Sequence, residues 1–247
     1  MNEQPSTPKT PRNAASWAKP MNTLSVGDMP AEAINLNVAG RRLSGPLNGF
    51  GQMWQKSYRV ELSGSPARPA EVIATWKAKF PEFWPKGNRF YGSVAGVNPG
   101  DVAVLNLSMP GGMKVSTGIR VIYADEESFA FITPEGHMFG GMITFSAEKV
   151  GEATAVQIQA LIRASDPIYE IGCRLGFAHK LEDAFWHGTL SNLAAHFGTT
   201  QAQVTQQNVL VDKRVQWAQV RNVWHNAAVR TAIYMPIHVV KRLFKKG

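Results

Sequence analysis

The chain reads as an α+β fold, a curved antiparallel sheet of about seven strands wrapped on a long C-terminal helix, with a basic helical extension beyond it. Three observations predict this. Between residues 88 and 164, six strand-like segments follow one another with only short turn signals between them, the mark of an antiparallel meander. A helical segment, 68–84, precedes the run. A helical pattern of ~45 Å, from Asp166 to Phe197, follows it and carries one apolar arc that suits the concave face of such a sheet.

Residues 1–47 are rich in Pro, Asn, Ser and Ala without sustained periodicity and are expected to be a flexible lead-in. The stretch GRRLSGPLNGFGQMW (40–54) suits a loop on a domain edge. In KSYRVEL (56–62), Tyr58, Val60 and Leu62 alternate with polar residues as in a half-buried strand. Helix 68–84 has Pro69 in its first turn and Val72, Ile73, Trp76 and Phe80 on one face, until Pro81 and Pro85 interrupt it. Strands are expected over 88–95, 101–109, 113–124, 128–133, 141–149 and 153–164. Asp166 and Pro167 open the long helix, Gly198 ends it, and Gly172 and Gly176 are the places where it can bend. Residues 203–217 read as extended and 218–247 as an amphipathic helix, so the expected domains are 1–47, 48–198 and 199–247.

At 247 residues with 44% hydrophobic and 18% charged residues, the chain can bury a substantial core. The single Cys173 excludes an intramolecular disulfide and a cysteine zinc cage, which favours a reducing compartment. The N-terminus has no apolar stretch of the secretory kind, and no run reaches the length of a membrane span. The expected location is therefore cytoplasmic, with contact to the inner face of the membrane as a further expectation. The formal charge of +8 is concentrated at the C-terminus. Lys213, Arg214, Arg221, Arg230, Lys241, Arg242, Lys245 and Lys246 there face only Asp212.

The order strand, short helices, six strands, long helix resembles the helix-grip fold of the START-like or SRPBCC superfamily, which includes the birch-pollen allergens. GPLNGFGQMWQKSYRVEL, PGGMKVSTGIRVIYADEESFAF, TPEGHMFGGMITFSA and IRASDPIYEIG are similar to segments of bacterial members of unassigned function. A more distant likeness is to a plant and bacterial family with a Gly-His-Pro turn, a Gly-Glu-Glu strand start and a Ser-Arg-Pro after the last strand. Here those positions read Gly136-His137-Met138, Gly140-Gly141-Met142 and Ala164-Ser165-Asp166-Pro167, so any role of the paired glutamates does not carry over. The resemblance spans roughly residues 45–198. It implies a hydrophobic-ligand cavity between sheet and helix and supplies no reaction.

Phosphate-loop, serine-hydrolase and zinc-protease motifs are absent, so no nucleotide cofactor or metal is expected. On the long helix, Ile168, Ile171, Leu175, Ala178, Phe185, Trp186, Leu193 and Phe197 share one arc. Glu182 points near its middle, with His179 one turn earlier and Trp186 as an aromatic wall. A carboxylate facing an apolar cavity must be paired, hydrogen-bonded or protonated. A kink at Gly176 would instead turn Glu182 outward, and both readings stay open. Asp183 and His187 read as a solvated face. Arg163 is either solvent-facing or paired with Asp166 or Glu170, or else a cavity group suited to a ligand carboxylate or phosphate. His137 is either a turn residue or a hydrogen-bonding group at a cavity rim.

The resemblance implies a protein that binds a hydrophobic or amphipathic small molecule, with Glu182, His179, Trp186, His137 and Arg163 as candidate ligand contacts. In the tail, Lys241, Arg242, Phe244, Lys245 and Lys246 suit anionic headgroups, or else the helix docks on its own domain. The apolar stripe there favours lipid or protein over nucleic acid. Two alternatives stand beside this reading, an enzyme of the cyclase or aromatase kind and a partner-binding or oligomerisation module.

Overall fold

Alternation decides which face of each strand meets the core. In β2, Met53–Leu62, the side chains of Lys56, Tyr58, Val60 and Leu62 are buried on one side, and in β8, Ala153–Ala164, those of Val156, Ile158, Ala160 and Ile162 are. The computed structural model describes residues 13–30, 32–92 and 97–244, the side chains of 236–244 excepted. A two-residue strand β1 (Leu43–Ser44) precedes β2, and between β2 and β8 come β3 (Arg89–Tyr91), β4 (Val102–Ser108), β5 (Lys114–Ala124), β6 (Ser128–Pro134) and β7 (Phe139–Val150). A last strand, β9 (Thr205–Asp212), follows the helices. The antiparallel order is β3-β4-β5-β6-β7-β8-β2-β9, with β1 paired to β6 off this path. The first long strand thus sits beside the last strand of the meander, the helix-grip arrangement, and the tail strand adds beyond it.

Helix α1, Pro69–Ala78, and the 3-10 turn Phe80–Phe83 fill the concave face at one end. There Trp76 stands edge-on to Phe145 at 5.2 Å, and Phe80 meets Phe129, Phe131 and Phe145 at 5.1–5.6 Å. The expected long helix is two. Asp166 caps α2, Pro167–Arg174, by accepting from the Ile168 and Tyr169 amides at 2.8 and 3.1 Å. Gly176, at φ +80°, then breaks the chain, and α3, Phe177–His196, crosses the sheet. Gly198, also left-handed, ends it as expected.

Both terminal segments pack on this body. Residues 13–47 include the buried Leu24, Asn37 and Val38, and Val38 closes on Gly118 of β5, so the mobile lead-in expected for 1–47 is corrected there. Residues 1–12 lie outside the described residues. At the other end β9 pairs with β2, and a 3-10 helix, Trp217–His225, leads to α4, Ala227–Phe244. Thr231 of α4 is fully buried and its Oγ1 bonds the Ser116 amide and Asn37 Nδ2, both at 3.1 Å. The described part of the tail therefore docks on its own chain. The convex face of β5 is covered from both termini, which is why nearly all of that strand is buried.

Candidate functional site

Three strands taper as they run beneath α3. Their inward side chains form rows across β6, β7 and β8, read from the strand register. The first row is Phe129, Phe145 and Ile158, and the second is Phe131, Ile143 and Ala160. The third is Thr133, Gly141 and Ile162. A Cβ at Gly141 would lie 2.6 Å from Ile162 Cγ2 and 2.7 Å from the Leu161 carbonyl, so close approach keeps this position small. Where side chains shrink, the first half of α3 no longer reaches the sheet, and a cavity of about 320 Å³ remains. Leu181, Glu182, Phe185 and Trp186 line it from the helix, and Pro85, Asn88, Ser108, Met109, Met138 and Met142 from the surrounding loops and strand ends. The wall is overwhelmingly apolar, the usual character of a small-molecule cleft.

Glu182 is the charged side chain on this wall among the described residues. The break at Gly176 leaves it facing inward, 8% exposed, with Oε2 2.9 Å from Lys56 Nζ in an ion pair off the hydrogen-bond direction. Lys56, 1% exposed on β2, is directed at Asp183 instead, donating to Oδ1 at 2.7 Å. Tyr58 Oη donates to the same oxygen at 2.7 Å, and Gln206 of β9 supplies a further hydrogen bond. Burial pushes the Glu182 carboxyl up to about 7, with Lys56 opposing the rise. Burial also acts on Asp183, but the bonds from Lys56, Tyr58 and Gln206 outweigh it and hold that carboxyl below its ordinary range. The neighbouring Tyr58 hydroxyl is driven upward, first by burial and then by the two carboxylates. Lys56 thus engages both carboxyls, and the further hydrogen bonds from Tyr58 and Gln206, made to Asp183 alone, move the two pKa values in opposite directions.

Of the sequence-derived contacts, Glu182, Trp186 and His137 line the cavity together. Trp186 stands edge-on to Phe145 and Phe185. His137 has Nδ1 against the backbone of Phe139, 3.0–3.1 Å from its N and O, and burial lowers its pKa to about 4. His179 lies outside the lining, between the rings of Trp54 and Phe139 at 5.3 and 6.1 Å. Burial and the Lys56 charge lower its pKa to about 4 as well. Arg163 is corrected. It is buried on the opposite face, bonding the Gly51 and Arg214 carbonyls at 2.5 and 2.9 Å and Asp212 at 2.5 Å, and so ties the tail to β8. Its partner is not Asp166 or Glu170.

Asp183 is corrected too, since it is half-buried and ion-paired rather than solvated. Lys56 escaped the sequence reading, although its parity with Tyr58, Val60 and Leu62 places it inward, and Tyr58, read there as a strand residue, was not seen as a partner of Asp183. Of the tail contacts, Lys245 and Lys246 lie outside the described residues, and the side chains of Lys241, Arg242 and Phe244 do as well. No group of three or more His, Cys, Asp or Glu side chains among the described residues is placed to hold a metal ion. No helix there is long and apolar enough to cross a membrane.

No family model matches the chain, and no curated protein does. Solved structures similar to it include the di-domain ARO/CYC StfQ from the steffimycin biosynthetic pathway, 13% identical over 58% of this chain, with a TM-score of 0.47. The chain spans 50% of that protein's length. A START superfamily protein from Mycobacterium smegmatis is 17% identical over 60% of this chain and 98% of its own, with a TM-score of 0.40. A protein from Thermus thermophilus is 18% identical over 59% of this chain and 99% of its own, with a TM-score of 0.42.

Proposed function

We propose that the protein binds a hydrophobic or amphipathic small molecule, lipid-like or aromatic, in the cavity beneath the first half of α3, and that it does so at a membrane surface. The observation that carries the binding reading is the taper of the three strands, which leaves about 320 Å³ with apolar walls and one buried carboxyl. That volume is at the lower end of the roughly 300–1,000 Å³ of ligand clefts. N-phenyl-1-naphthylamine, an uncharged dye that brightens in apolar surroundings, tests it. Saturable enhancement is expected with the native chain and loss of it with Ile143→Trp at unchanged melting temperature. Equal enhancement in both would remove the reading.

Support for the membrane comes from α2 and the neighbouring 3-10 helix. Ile168 and Ile171 lie on the outer face of α2, with Leu175 at its C-cap and Phe177 beyond, and Leu175 and Trp224 are 72% and 77% exposed. Solvated helices normally hide such a stripe, and the basic excess of the tail favours an anionic surface. Sedimentation with phosphatidylglycerol vesicles is the check, with binding expected and its absence decisive against this part.

One observation favours the enzyme reading. A carboxyl titrating near 7 on an apolar wall is suited to proton transfer. Accelerated hydrogen–deuterium exchange at the methyl group of cavity-bound 2-acetonaphthone, lost in Glu182→Gln, is its expected signature.

A further inference from the structure

Polar groups on the cavity wall are few, and most are already occupied. Thr133 Oγ1 is held among the Ser44 carbonyl, the Phe139 carbonyl and the Gly141 amide at 2.8–3.2 Å. Asn88 donates to the Pro85 carbonyl and accepts from the Ser108 amide, both at 2.9 Å. Ser108 Oγ donates to the Gly87 carbonyl at 2.6 Å. Those contacts leave Glu182, and the Nε2 side of His137, to meet a bound molecule.

The charges around Glu182 decide what kind of molecule that is. No Lys or Arg is among the lining residues. Lys56 stands behind Glu182, its ammonium 2.9 Å from Glu182 Oε2 and donating to Asp183 at 2.7 Å. Arg163, the other buried cation near β8, is bound to two carbonyls and Asp212 on the far face. One lysine and one aspartate cancel, so the cluster is electrically balanced when Glu182 carries a proton and negative when it does not. An entering anion would lose its hydration and meet Glu182 ahead of Lys56, whose charge the two carboxyls already engage, while Lys114, bonded to Ser108, is solvent-exposed. A protonated Glu182, by contrast, presents an O–H donor to an otherwise dry wall, where an oxygen acceptor gains most from it.

We infer that the cavity selects an uncharged, largely apolar ligand with a carbonyl oxygen placed against Glu182, and rejects the carboxylate of the same skeleton. The inference rests on the binding reading above and names its ligand class. The position of the Glu182 carboxyl near 7 agrees with it but is not its basis.

Four probes of one skeleton separate the outcomes. They are 2-acetonaphthone, 2-naphthoate, 2-(aminomethyl)naphthalene and 2-ethylnaphthalene, titrated calorimetrically into the full chain at pH 5.5, where Glu182 carries its proton and the naphthoate is still an anion. The ketone is expected to bind at least tenfold tighter than the naphthoate and several-fold tighter than the ethyl compound. Glu182→Gln, which keeps an N–H donor, should retain the ketone preference, and Glu182→Ala should lose it. A melting curve establishes that both variants are folded, and Glu182→Gln serves alone if the alanine variant is not. Binding of naphthoate as tight as the ketone overturns the inference while leaving the binding reading intact. Preference for the amine also overturns it, because Glu182 would then act as an anion. If even the ethyl compound and the uncharged dye fail to bind, the binding reading falls, and this inference with it.

Discussion

The two halves of α3 lie over the same sheet and face opposite situations. Leu190, Leu193 and Ala194 in the second half are fully buried against Trp76, Phe80 and Phe83, leaving no room. Leu181, Glu182 and Phe185 in the first half look onto the cavity. The difference comes from what the strands and the segments crossing the sheet contribute beneath each half. Under the filled half the rows are aromatic and α1 adds Trp76, while under the open half they end in Thr133, Gly141 and Ile162. A helix-grip sheet is therefore not hollow by virtue of its topology. The cavity is opened by shrinking side chains at named positions, and the same strands make a solid core one row away.

The sharpest way to break this comparison is a pair of truncations. Leu190→Ala should cost about 3 kcal/mol in urea unfolding, because a new hole opens in close-packed surroundings. Ile143→Ala, which only enlarges an existing cavity, should cost no more than about half that. Equal losses would mean that the open half is packed in solution.

The second prediction concerns Glu182. Its folded value, about 7, is above the 4.5 of an ordinary glutamate. Stability from this group is therefore fully present below about pH 4.5 and is lost as pH rises to about 7. Glu182→Gln should then gain on the order of 3 kcal/mol over the native chain between pH 4.5 and 8. Facing Glu182 are Lys56 and Tyr58 on β2, Asp183 and His179 on α3 and Cys173 on α2, with His137 on the same cavity wall. The two histidines, lowered to about 4 from 6.5, act in the opposite sense, since their contribution is lost as pH falls from 6.5 to 4. The difference between native chain and variant, not either curve alone, isolates Glu182. A pH-independent difference would show that its carboxyl titrates normally.

The smallest effect on stability is expected outside the grip. Ile171→Glu on the exposed face of α2 should change unfolding free energy by less than about 0.5 kcal/mol, yet reduce sedimentation with phosphatidylglycerol vesicles several-fold. A large loss of stability there would mean that the stripe is packed after all.

Much of the fold was legible because its signals are local. Alternation in Tyr58, Val60 and Leu62, the Asp166 cap, and glycine at 176 and 198 all act within a few residues of where they are read. Glu182 was legible as an inward carboxyl from helical periodicity, and only the consequence of the Gly176 break was open. The misreadings share one physical origin. Asp183 looked solvated because nothing near it announces that Lys56 and Tyr58 lie across from it on β2. Arg163 looked free because its partner, Asp212, arrives on a strand nearly fifty residues later. Leu24 and Val38 belonged to a stretch with no periodicity, and their burial comes from the convex face of a sheet that forms elsewhere. Charge and apolar surface that are satisfied over long separations leave no local pattern to read.

The pairing of β2 with both β8 and β9 has a consequence for the order in which the molecule is completed. Met53 pairs with Arg163, and Arg59 with Thr205, so the first long strand finds its neighbours about a hundred and then about a hundred and fifty residues on. As the chain leaves the ribosome, the meander β3 to β8 can zip up turn by turn, but Lys56 has neither carboxyl until α3 is made. Gln206, which joins Asp183 from the far side, comes later still. The sheet side of the apolar bowl is therefore encoded before residue 165, whereas the polar cluster behind Glu182 also draws on Asp183 and Gln206 from beyond it.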